Sequence, residues 1–70
     1  MAGCAFEERI AELARKYFPG DPRGEEKVRR DAEHWRRMAY AHLPEDEGMR
    51  IALNAVEVFE AMRVDQMYAM

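Results

Sequence analysis

Pro44-Glu45-Asp46-Glu47-Gly48-Met49-Arg50-Ile51-Ala52-Leu53-Asn54-Ala55-Val56-Glu57-Val58-Phe59-Glu60-Ala61-Met62-Arg63 decides how this chain folds. Its residues favour helix. Pro44 can open that helix, and Glu45, Asp46 and Glu47 give it an acidic first turn suited to the positive end of the dipole. The spacing predicts a helix over about 45–67. Met49, Ala52, Leu53 and Val56 share one face, while Ile51, Ala55, Val58 and Met62 share another, nearly opposite, with Phe59 between them. A helix that is apolar on two sides must be covered on two sides.

Upstream, two Pro/Gly clusters mark breaks: Pro19-Gly20-Asp21-Pro22-Arg23-Gly24 and Pro44 to Gly48. Between them the pattern stays helical. The first helix is expected over about 5–18, with Phe6, Ile10, Leu13 and Tyr17 on one face, Glu7 and Glu8 in the first turn, and Arg15 and Lys16 in the last. The second is expected over about 25–43, with Asp21 as an early cap and Pro22 at the first helical position. Val28, Ala32, Trp35, Ala39 and His42 would line its buried face. The fold class is all-α: one domain spanning 1–70, a small three-helix unit made of a helical hairpin plus an N-terminal helix. At 70 residues, such a domain buries only about 60% of the surface of its unfolded chain. The second apolar side of the third helix therefore points to a homo-oligomer, most simply a dimer, with Ile51, Ala55, Val58, Phe59 and Met62 as its interface. The alternative is that the first two helices sandwich the third within one chain.

Composition removes most chemistry. The sequence holds no Ser and no Thr, which excludes the hydroxyl-nucleophile hydrolases. Cys4 is the single Cys, so neither an intrachain disulfide nor a Cys-based zinc site can form. No apolar run approaches the ~20 residues a bilayer requires. The first eight residues lack the basic and apolar regions of a signal peptide. The expectation is a soluble, cytoplasmic protein. A net charge of −3 disfavours non-specific nucleic-acid binding. Gly20 and Gly24 bracket no phosphate loop, and no Glu-x-x-His pair exists, since Arg36 follows Glu33 by three. His34, Met38 and His42 recur every fourth residue and could face a soft metal, but a core or interface role for His42 and a solvated one for His34 explain them more simply. No cofactor is expected, and no enzyme activity.

Positive charge gathers at Arg23, Lys27, Arg29, Arg30, Arg36 and Arg37, interleaved with Glu25, Glu26, Asp31 and Glu33. One reading is a solvated face with i,i+4 pairs (Glu25–Arg29, Glu26–Arg30, Glu33–Arg37), each worth ~0.2–0.5 kcal/mol. The other is a site for a small anionic ligand, with Arg forks for phosphate and an aromatic for a base. Tyr17 and Phe18 stand just before the linker and Arg23 within it, so Arg23 and Lys27 join such a site by charge and position. Met62, Met67, Tyr68 and Met70 make a soft apolar end that could dock a partner helix.

Tyr17-Phe18-Pro19, Val28-Arg29 with Ala32, Leu43-Pro44 and Ala52-Leu53-Asn54-Ala55-Val56-Glu57 together resemble the helical-hairpin family of phage anti-CBASS sponges, which sequester cyclic oligonucleotide signals. The resemblance covers Tyr17 to Glu57. It implies a helical homo-oligomer that holds a cyclic nucleotide without turnover, with Tyr17 stacked on a base and Arg29 on phosphate. The functional expectation is thus a non-enzymatic, sponge-like protein sequestering an anionic nucleotide-type signal. The alternative is a protein-interaction module docking a partner protein through the third helix and the Met-rich end.

Overall fold

The computed structural model describes residues 2–68, with side chains from 6 to 66. Three helices account for the fold: α1 (Ala2–Tyr17), α2 (Gly24–Ala39) and α3 (Glu45–Tyr68), with no strand among the described residues. No helix among those residues is long and apolar enough to cross a membrane.

The linker after α1 follows from its two prolines and its glycine. Phe18-Pro19-Gly20-Asp21 is a type II turn: the Asp21 N–H donates to the Phe18 carbonyl (3.1 Å), and Gly20 takes φ +79°. That turn wants proline second and a residue free to adopt positive φ third. Asp21 then does something other than the capping expected of it. Its Oδ1 accepts the Arg23 N–H at 2.8 Å, closing a local side-chain turn, and its carbonyl accepts the Gly24 N–H at 3.1 Å. The helix consequently starts at Gly24, one residue from the expected start, and Pro22 stays in the turn before it.

Two further boundaries differ from the sequence expectation. α1 begins at Ala2, so Glu7 and Glu8 lie beyond its first turn, which holds no acid. α2 ends at Ala39, four residues short of Leu43. Leu43 precedes Pro44, whose ring disfavours helical geometry at the residue before it. Tyr40 leaves the helix at φ −124°, and the Leu43 N–H turns back to the Tyr40 carbonyl at 3.1 Å. His42 is therefore an exposed loop residue and not part of a buried helical face, and Ala39 is exposed as well.

The five residues between α2 and α3 are too few for anything but an antiparallel return. Gly48 seats that hairpin. A Cβ there would stand 3.2 Å from both the Arg36 Cγ and the Tyr40 carbonyl oxygen. The core is one cluster shared by all three helices: Ile10, Leu13 and Ala14 from α1, Val28 and Ala32 from α2, and Met49, Ala52, Leu53 and Val56 from α3. Phe6, Tyr17, Phe18, Trp35 and Tyr40 pack around it half-buried. Of the two apolar sides of α3, the Met49 side is thus the one the chain covers by itself.

Candidate functional site

The other side of α3 is open. Ile51 and Ala55 are half-buried, and Val58, Phe59 and Met62 stand 55%, 52% and 51% exposed. The spacing of four, three and four residues from Ile51 to Met62 sets them in one row along the helix. The cause is partly length. α3 has 24 residues against 16 in each of its companions, and α1 and α2 already occupy its opposite side. Phe59 sits at the row's edge, where its ring meets Trp35 of α2 at 4.8 Å between centroids and a 30° tilt. Side chains on antiparallel helices each lean toward their own N-terminus, so these two converge. Met38, one turn beyond Trp35 on α2, is 72% exposed. Of the Met-rich end, only Met62 has a described side chain: the side chains of Met67 and Tyr68, and all of Met70, lie outside what the structure describes.

Each end of the row carries an acid. Glu47 precedes Ile51 by four residues and Asp65 follows Met62 by three, so both fall on the same line of the helix. Both are exposed, and neither has an ion-pair partner among the described residues.

The basic residues expected to hold an anion are arranged differently. Arg29 donates through Nη2 to both carboxylate oxygens of Glu7 on α1, at 2.7 and 2.9 Å, rather than pairing with Glu25 on its own helix. Lys27 lies 2.6 Å from Asp21 and stands over the Phe18 ring at 5.5 Å. Arg30 pairs with Glu26 (3.3 Å) and Arg36 with Glu33 (3.2 Å), while Arg37 donates to the Glu33 carbonyl. Arg23 is exposed, with its backbone N–H on Asp21. Tyr17 is half-buried against the core, with the Lys16 ammonium 5.3 Å from its ring centre. Tyr17 and Arg29 thus face different neighbours, and Lys27 is held at the linker. The Lys27 ammonium and the Arg23 N–H together hold the Asp21 carboxyl below its ordinary range.

An open cleft of about 410 Å³ lies beside this linker, lined by Ala11, Ala14, Arg15, Phe18, Asp21 and Glu25 among others. Its two carboxylates oppose an anion, and Arg15 favours one. No group of His, Cys, Asp and Glu able to hold a metal occurs among the described residues. His34 and Met38 are both exposed on α2 and His42 is off the helix, which breaks the expected row.

Glu57 lies half-buried beside the covered face of α3. It is the anchor of α1. Glu57 accepts from Arg9, which also reaches Glu12, and from Lys16 at 3.1 Å. Arg9 first and Lys16 second hold the Glu57 carboxyl below the ordinary glutamate value, against the small opposing effect of burial. Compared with known proteins, the chain matches no family model, no curated protein and no solved structure at a significant level.

Proposed function

We propose that this protein is a non-catalytic docking module whose working surface is the apolar row of α3. The observation that supports this reading is the half-exposure of Val58 and Met62 in one line with Phe59 at its edge, while Met49, Ala52, Leu53 and Val56 on the opposite side of the helix are covered. Large apolar side chains cost free energy in water, and the largest exposed apolar patch of a small protein is often a functional one. The row has the i, i+4, i+7, i+11 layout by which one amphipathic helix receives another.

The test is a photo-reactive amino acid at position 62, in the cell that makes the protein. A discrete covalent adduct is expected there and not from the same probe at Glu26, and the adduct is expected to vanish when Phe59→Glu is added. Equal or absent labelling at the two positions, in folded protein, overturns the reading.

A second reading, sequestration of a small anionic nucleotide-type signal in a homo-oligomer, draws support from the linker cleft with Phe18 and Arg15 on its wall. It ranks behind docking because Arg29 and Lys27 already carry carboxylate partners. Calorimetry against cyclic di- and trinucleotides tests it. Heat of binding at micromolar ligand, lost in Arg15→Ala, would place it first.

A further inference from the structure

We infer that the occupant of the α3 row is an amphipathic helix of another protein, with lysine or arginine at both ends of its apolar stripe. This deepens the docking reading and rests on it. The inference comes from where the net charge sits. On α1, α2 and the linker, most ionic groups are paired, and the exposed remainder balances: Glu8, Glu25 and Asp31 against Arg15, Arg23 and Arg37. On α3, the exposed groups without ion-pair partners among the described residues are Glu45, Asp46, Glu47 and Asp65, against Arg50 alone. The unpaired negative excess, equal to the chain's formal −3, therefore falls on this one helix.

Two of those acids, Glu47 and Asp65, bracket the apolar row on its own line. The row between Ile51 and Met62 is roughly 17 Å long, three helical turns. A partner helix laid along it meets an apolar centre and an acid at each end, so cations about five turns apart complement it. A second copy does not. Two rows packed antiparallel set Glu47 beside the partner's Asp65 twice, and two packed parallel set each acid against its own counterpart. Both arrangements bring like charges together while apolar surface is buried, which opposes association. The exposed apolar area is on the order of 300–500 Å², below the ~800 Å² each partner gives to a standard interface, so the complex is of micromolar strength and salt-sensitive.

Trp35 supplies the readout. It is the only Trp in the sequence, and its ring touches Phe59 at the edge of the row. The full chain is titrated by fluorescence with two synthetic amphipathic peptides free of Trp, one of Leu and Lys, the other of Leu and Glu. The Leu/Lys peptide is expected to shift the Trp35 emission with a Kd of about tens of micromolar, and the Leu/Glu peptide to bind at least about tenfold more weakly. Glu47→Lys combined with Asp65→Lys should reverse that preference. Phe59→Glu and, separately, Met62→Glu should each abolish binding of the Leu/Lys peptide. Both add negative charge, so attraction by charge alone would strengthen instead. Circular dichroism confirms that each variant keeps its helices.

Equal affinity for the two peptides, or Leu/Lys binding that survives Phe59→Glu and Met62→Glu, overturns the inference. Light scattering that finds the unliganded chain in a dimer broken by Met62→Glu also overturns it, yet leaves the docking reading standing. Absence of any adduct at position 62 removes both.

Discussion

Met49, Ala52, Leu53 and Val56 line the covered side of α3 and are at most 8% exposed, whereas Val58, Phe59 and Met62, of the same chemical types, stand half in solvent on the other side. Apolar content alone does not separate the two. Their borders do. The covered side is edged by Glu57 and Glu60, and Glu57 finds Arg9 and Lys16 arriving from α1. The open side is closed at both ends by Glu47 and Asp65, which find nothing among the described residues. In so short a chain, the covered face is edged by a charge that a neighbouring helix matches, and the open face by charges without partners among the described residues.

The largest break in that comparison comes from the same truncation made on each side. Leu53→Ala opens a cavity in a fully buried site and is expected to cost 2–5 kcal/mol, roughly the whole stability of so small a domain. Thermal unfolding followed by circular dichroism should show the melting transition lost or far lower. Val58→Ala should move stability by no more than about 0.5 kcal/mol, because its side chain is half in water and alanine is the better helix former. A comparable loss from Val58→Ala would mean that the open side is not open.

A smaller effect comes from the turn that brings α1 to the covered side. Gly20→Ala forces a side chain into positive φ and should cost about 1–2 kcal/mol. Nothing lies within contact distance of a Cβ there, so the loss would be purely conformational and Gly20→Asn should recover part of it.

Glu57→Gln sharpens the role of the border. It removes one charge facing two partially exposed cations and should cost about 1 kcal/mol in urea unfolding. The pH dependence has a definite sign. Because Glu57 titrates lower in the folded chain than in the unfolded one, its contribution is complete above the ordinary value of 4.5 and fades as pH falls through its lower folded value. The native chain should lose stability toward acid more steeply than the Gln variant. Identical acid limbs would show the ion pairs to be idle.

The smallest expected effect is at Arg29→Ala. Its pair with Glu7 is exposed on both sides, and about 0.5 kcal/mol or less should be lost. The measurement still matters, since a nucleotide affinity abolished by this change would restore the anion site read from the sequence.

Much of this was legible in the residues alone. Ile10, Leu13, Val28, Ala32 and the Met49–Val56 side form the core as periodicity indicates, and the two-sided character of α3 was visible before any coordinate. What was not legible turns on short-range competition. Asp21 has a carboxylate suited to capping a helix, and its preference for the Arg23 N–H over a longer helix is a balance of two local hydrogen bonds. The end of α2 at Ala39 falls four residues ahead of Leu43, where no proline or glycine marks it in the sequence. The pairing within the basic cluster was hidden for a different reason. Counting arginines along α2 cannot show that Glu7, on another helix, reaches Arg29.

The five-residue connection between α2 and α3 has a kinetic consequence. Neighbours in sequence become neighbours in space at little loss of chain entropy, so the hairpin can form early and refolding should finish within milliseconds. α1 joins across a linker of nearly the same length, six residues, and what sets it apart is its tie at Glu57, which acid or salt can loosen. Amide hydrogens of α1 should accordingly exchange first, and a protease should find that segment before it finds the hairpin.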